Sequence, residues 1–331
     1  MPAFQKHWTV AARGVRAFLD LGAGVRRAEA ASESFRAYQS PELERSRAGT
    51  GVGNLSSENM VWIFGTGRSG NTWLTAMMES AGHTAWREPA IGDLFGEFYY
   101  KWRSRRRNAK FVLGEPSKDI WLGSIRHFVL EGANGRFPWL SGEDYLVVKE
   151  QVGSIGASLL SEALPESKMI FLIRDPRDVA ASWLDGATGS GWHQESVARR
   201  KDPERASRAD EDPTAYVKLQ ARRYLKQVGH AAEAYDAHEG PKTLVRYEEL
   251  RADALEAMRR IHSELGMGVD EARLRRAVEE HSWENIPEEE KGEGKFYRKA
   301  TPGSWREDLT SRQAKAVERI TAPLIKQFYP G

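Results

Sequence analysis

The sequence predicts an α/β fold, a three-layer sandwich with a central parallel sheet flanked by helices. Three observations carry this. Short apolar runs alternate with helical stretches from residue 60 onward. The first run, MVWIFG at 60–65, passes directly into a glycine loop and a helix start. The strongest run, SKMIFLIRD at 167–175, is continuously apolar, as a strand buried on both faces requires, and a helix opens behind it at Pro176.

The elements follow in order. Residues 4–27 place Phe4, Trp8, Ala11, Val15, Phe18 and Leu19 on one helical face, which predicts an amphipathic helix. It reads as a helix packed on the domain, or as an interfacial membrane or partner contact. Residues 28–59 are polar and Ser/Glu-rich and read as a linker. The expected division is therefore 1–59, helix and linker, and 60–331, a single domain. A helix is expected near 71–82, ended by Gly82. Strands are expected at 144–150 (DYLVVKE) and 242–250 (KTLVRYEEL), the latter followed by a helix at about 251–265. Two charged, glycine-containing stretches, 185–213 and 284–304, read as long loops, the first a candidate lid over an acceptor.

Bulk composition narrows the function. The 331 residues carry 49 Lys+Arg against 47 Asp+Glu, a formal net charge of +2. That balance gives no case for nucleic acid. Cysteine is absent, which excludes disulfides, thiolate metal sites and cysteine nucleophiles. A mean hydropathy of −0.60 and the lack of a long apolar run argue against a transmembrane helix. No secretory signal is apparent, so a cytoplasmic location is expected, with the N-terminal helix as a point of peripheral membrane contact.

The chemistry begins in VWIFGTGRSGNTWLTAMM, 61–78. Gly65, Gly70 and Thr72 fit the phosphate-loop spacing G-x-x-x-x-G-K-[ST], but Asn71 stands in the lysine's place. A glycine turn between a strand and a helix aims backbone amides at an anion, and the helix end adds partial positive charge. Without the lysine that reaches β- and γ-phosphates, triphosphate chemistry is disfavoured. A single short anion beside Arg68 fits better. In LIRDPRDVAAS, Arg174 follows a strand's C-terminal end and Ser182 lies eight residues on, about two helical turns, so both can face one object. Asp175 and Asp178 are expected to cap that helix and to pair with Arg174 or Arg177.

Together these segments resemble the sulfotransferase family that uses 3′-phosphoadenosine 5′-phosphosulfate, whose fold is similar to that of P-loop nucleotide triphosphatases. The resemblance spans about 60–328. It implies that Gly67, Arg68, Ser69, Gly70, Asn71, Thr72 and Trp73 hold the 5′-phosphosulfate, and that Arg174 and Ser182 hold the 3′-phosphate. The late segment YRKATPGSW resembles the family's R-K-G-x-x-G-D-W loop. Arg298, Lys299, Gly303 and Trp305 match, and Ala300 and Ser304 depart from it. Arg298 and Lys299 would then close over the 3′-phosphate, and Tyr247 would lie by the adenine. The implied reaction is in-line sulfuryl transfer to a hydroxyl or amine, with no metal.

Such transfer needs cations on the developing charge and a base for the acceptor's proton. Arg68 and Lys149 are the expected cations. Glu88, in TAWREPA, is the expected base, because carbohydrate and tyrosyl-protein members carry a glutamate in a similar place. Glu150 and His83 are the alternatives. Gln151 stands where the small-molecule branch carries histidine, and it cannot act as a base. The acceptor is read as a small molecule, a carbohydrate or a lipid-like compound. The run KWRSRRRNAK at 101–110 reads as a solvated face, or as one turned to an acidic acceptor or anionic headgroups. Two other readings stand beside this one. One is a Mg-ATP kinase or nucleotidase with Thr72 and Asp175 on the metal. The other is a non-catalytic nucleotide-binding protein.

Overall fold

The computed structural model describes residues 53–105, 107–108, 110–188, 209–295 and 297–329. The expected helix at 4–27, most of the linker and the centre of the expected lid lie outside the described residues.

Five strands form one sheet: β1 (Met60–Gly65), β2 (Thr84–Arg87), β3 (Leu146–Glu150), β4 (Lys168–Ile173) and β5 (Lys242–Arg246). Their order is β2-β3-β1-β4-β5, and every neighbouring pair is parallel. β1, β3 and β4 are buried at every position, which is why they read as unbroken apolar runs. The edge strand β5 alternates half-buried with buried residues. β2 was not expected as a strand. Its four residues, TAWR, are too short to show a period, and it is fixed by pairing from Thr84 opposite Leu146 to Arg87 opposite Lys149.

The helices are α1 (Asn71–Ser80), α2 (Ile91–Trp102), α3 (Lys118–Arg136), α4 (Ala157–Ala163), α5 (Pro176–Ala187), α6 (Pro213–Ala237), α7 (Tyr247–Ala252), α8 (Ala254–Glu264), α9 (Glu271–Glu280), α10 (Trp305–Asp308) and α11 (Ser311–Phe328). On one sheet face Ile63 and Leu172 pack with Leu74, Met78, Ile261 and Leu274 from α1, α8 and α9. Strand alternation turns Trp62 and Phe64 to the other face, where their rings stack and Phe171 meets Phe328 of α11 edge-on. Each fully buried side chain of this size contributes about 2 kcal/mol of transfer free energy. Ala181, Val217, Ala221 and Val317 tie α5, α6 and α11 together.

Side-chain caps set the helix starts. Asp175 accepts from the Arg177 amide at 2.8 Å, with Pro176 in the first turn of α5. The single helix expected at about 251–265 is broken at Asp253, whose carboxylate accepts from Glu256 N and starts α8 afresh. Because all strands run the same way, the segments after β1, β2, β3, β4 and β5 leave the sheet at one edge. Residues 66–70, 88–90, 151–156, 174–175 and 247 therefore converge there.

Candidate active site

The loop after β1 is braced from within: Ser69 N donates to Thr66 O at 3.3 Å, and Thr72 N donates to Asn71 Oδ1 at 3.1 Å. Ser69 Oγ donates to Thr66 O at 2.7 Å, and Asn71 Nδ2 donates to Gln151 Oε1 at 3.1 Å. Asn71 thus braces the loop from the position where a phosphate loop keeps its lysine. Gly70 has φ +91, and a Cβ there would stand 2.6 Å from the Tyr247 ring. Tyr247 is wedged between Gly70, the edge of Trp73 and the guanidinium of Arg174, whose Cζ lies 4.2 Å from the ring centroid.

One pole of the site is a cluster of guanidinium groups. Arg68 Nε donates to Ser182 Oγ at 2.9 Å, and Arg174 donates to the Arg68 carbonyl at 3.0 Å. Arg174 and Ser182 thus both contact Arg68. Arg174 is 8% exposed, and its Nε has no hydrogen-bond partner. Burial, helped by the positive charges of Arg174 and Arg298, lowers the Arg68 pKa to about 10. Asp185, one helical turn after Ser182, opposes that shift. Its place on α5 could have been found by counting three residues on from Ser182. This concentration of buried positive charge fits an anion.

The late loop is fastened to this pole by a residue assigned elsewhere from the sequence. Asp178 is fully buried and accepts from Gly303 N at 2.7 Å and Trp305 N at 3.0 Å. It pairs with neither arginine. Arg298 is held by Asp308 at 2.7 Å and Ser304 Oγ at 3.0 Å. Lys299 is more exposed and reaches Asp308 at 2.8 Å. Ala300 adopts φ +50, a left-handed conformation that suits glycine and costs a non-glycine residue some strain.

The other pole centres on Lys149, at the end of β3. Its Nζ lies 3.1 Å from Glu88 Oε1 and 3.3 Å from Thr72 Oγ1. Burial raises the Glu88 pKa, while Lys149 and the amides of Val152 and Gln151 oppose the rise. Neither Glu88 oxygen makes a well-aligned hydrogen bond. The turn carrying Glu88 is unusual, since Glu88 (φ +52) and Ala90 (φ +59) are both left-handed. It is clamped from behind. Glu150 Oε1 accepts from Ile91 N at 2.8 Å, and α2 presses its backbone onto the 153–156 turn. Cβ atoms at Gly92 and Gly156 would each meet the other segment's backbone at about 2 Å.

The geometry sorts the remaining expectations. Arg68 reaches Ser182 through its side chain and Arg174 through its carbonyl, and it does not join Lys149 and Glu88. Glu150 is fully buried and caps α2, and burial together with the charge of Glu88 raises its pKa to about 7. His83 lies just before β2, at the opposite end of the strand from Glu88, with its Nε2 3.0 Å from that of His262. Burial and His262 lower its pKa to about 4, so it stays neutral and away from the site. Asp175 is occupied by Arg177 and by its own helix start, which removes the acid that the Mg-ATP reading needed. Among the described residues no group of three or more His, Asp or Glu is placed to hold a metal ion.

Comparison with known proteins supplies the family. The sulfotransferase domain family matches residues 58–329. The chain belongs to that family. It is therefore a sulfuryl-transferring enzyme, and the phosphate-loop architecture inferred from the sequence is the family's own. Among solved structures, the mouse sulfotransferase SULT7A1 complexed with PAP superposes with a TM-score of 0.50 at 13% identity, covering 87% of this chain and 90% of that one. Sulfotransferase STF9 from Mycobacterium avium gives a TM-score of 0.50 at 16% identity, covering 89% and 81%. At these identities the likeness is one of fold. No curated protein sequence matches the chain.

Proposed function

We propose that this sulfotransferase moves a sulfuryl group from 3′-phosphoadenosine 5′-phosphosulfate to a hydroxyl or amine of a small-molecule, carbohydrate or lipid-like acceptor, with Glu88 as base. The observation that carries this reading is the two-pole site. Buried guanidinium groups gather at Arg68, Arg174 and Arg298, and a separate Lys149–Glu88 pair lies across the glycine loop. A donor with a phosphate at one end and a phosphosulfate at the other meets both poles. A triphosphate tail meets only one. The mouse structure cited above was solved with the matching bisphosphate, PAP.

Arg174, Ser182 and Arg68 hold the 3′-phosphate, and Arg298, carried on the loop pinned by Asp178, completes that pocket. The 66–72 amides, with Thr72, hold the 5′ end. The donor supplies a sulfuryl group activated on a phosphate oxygen. Glu88 takes the acceptor's proton as the new S–O or S–N bond forms, and the electron pair of the breaking S–O bond stays on the phosphate. Lys149 lies between Glu88 and Thr72, so it orients the base and faces the oxygen on which negative charge grows. Burial strengthens Glu88 as a base, and Lys149 keeps it ionised.

The test is Glu88→Gln, which preserves shape and removes the base. kcat is expected to fall by about a hundredfold or more, with the donor KM little changed. In the wild type, kcat/KM falls as the pH drops through the raised Glu88 pKa, because the base must be ionised, and the variant loses that acid limb. An unchanged kcat with an intact acid limb would show that another group takes the proton.

A further inference from the structure

Seven large apolar side chains are exposed among the described residues, and five of them sit on α2 and α3: Leu94, Phe98, Ile120, Trp121 and Phe128. Ile120 is 72% exposed and Leu94 59%. The Phe95 ring meets Phe128 edge-on at 5.5 Å, which joins the two helices, and Phe98 meets Phe111 at 5.7 Å. Leu94 and Phe98 are one helical turn apart, so they share a face of α2. A sixth exposed side chain, Val152, belongs to the turn whose amides act on Glu88. α2 itself begins three residues after Glu88. The apolar strip therefore runs outward from the base.

Its far end is positively charged. Lys101, Arg103, Arg105, Arg107 and Lys110 follow Phe98, and none forms a salt bridge among the described residues. Lys101 and Arg105 lie over the Trp102 ring at 5.9 and 4.4 Å. Residues 94–128 hold eight Lys and Arg against three Asp and Glu. Of those acids, Glu97 is taken by Lys226 of α6, Glu115 precedes α3 and Asp119 lies in its first turn; of the cations, Lys118 and Arg126 pair with Glu162 and Glu166 outside the segment, which leaves the 101–110 group as the uncompensated charge among the described residues. Exposed apolar side chains beside uncompensated cations and an interfacial tryptophan match the acyl and headgroup layers of an anionic bilayer.

We propose that the face formed by α2, the 103–111 segment and α3 docks on an anionic lipid bilayer, and that the enzyme takes an amphiphilic acceptor from that surface. The choice of acceptor rests on Glu88 as base in the proposed function, whereas docking does not depend on it.

The test reads binding and not turnover, so its failure leaves sulfuryl transfer untouched. The full chain is floated with vesicles of phosphatidylcholine alone and of phosphatidylcholine with phosphatidylglycerol. Binding is expected only to the anionic vesicles, and high salt weakens it. Arg103→Ala with Arg105→Ala lowers the partition coefficient roughly 30-fold. Leu94→Ser with Phe98→Ser releases the protein while its circular dichroism stays that of the wild type. Phe4→Ser with Trp8→Ser, in the helix expected at 4–27, leaves binding in place. No flotation with anionic vesicles would overturn the proposal. So would flotation that survives both the Leu94/Phe98 and the Arg103/Arg105 changes, or that is lost in the Phe4/Trp8 variant alone.

Discussion

Glu150 links the architecture of the site to a measurable pH dependence of stability. Its carboxyl titrates near 7 in the folded protein against an ordinary value of 4.5. A raised folded pKa means that the native state holds this proton more tightly than the unfolded chain. The stabilisation is therefore complete below pH 4.5 and is lost as the pH rises through 7. The difference corresponds to about 3 kcal/mol at roughly 1.4 kcal/mol per pH unit. Glu150→Gln keeps an acceptor for Ile91 N and removes the titration. Urea denaturation of both proteins at pH 5 and pH 8 isolates the effect, because steric costs of the glutamine are the same at both. Part of the loss already lies below pH 5, so the stability of the variant relative to wild type should rise by roughly 2.5 kcal/mol between the two pH values. A relative stability that does not change, or that falls, would refute the assignment of a buried, protonatable carboxyl at the start of α2.

Two further outcomes follow from the loops. Gly70→Ala forces a side chain into a left-handed position against Tyr247, so binding of adenosine 3′,5′-bisphosphate should weaken about 5- to 30-fold for a strain of roughly 1–2 kcal/mol. Gly123→Ala, in an open stretch of α3, is the control and should leave binding unchanged. Asp178→Ala strips the acceptors from two amides of the late loop at about 1–3 kcal/mol for each unsatisfied group. The donor KM should rise with kcat largely kept, and the 298–305 segment should become more sensitive to protease. An unchanged donor KM would mean that the loop does not close the donor pocket.

Much of this was legible in the sequence because it was local. The central strands are buried on both sides and so are unbroken apolar runs. The glycine loop and RDPRDVAAS carry their chemistry within a dozen residues. What escaped was set by distant segments. β2 exists because β3 pairs with it. Asp178 looks like a helix-start acid until the late loop, 125 residues on, brings two amides to it. Arg68 sits inside the glycine loop in sequence, but Ser182 and Arg174 hold it. Gln151 reads as a missing base, and its part in bracing Asn71 appears only when β3 lies beside β1. The four glycines at 92, 96, 153 and 156 show no motif, since their role is the close crossing of two backbones.

The central claim is that the buried arginines hold the 3′-phosphate of a bisphosphate donor. Calorimetric titration with adenosine 3′,5′-bisphosphate, with and without Mg²⁺ and with ATP as comparator, tests it most directly. The account predicts tight binding of the bisphosphate with or without Mg²⁺, lost in Arg174→Ala. Tighter Mg²⁺-dependent binding of ATP, or bisphosphate binding untouched by Arg174→Ala, would contradict it.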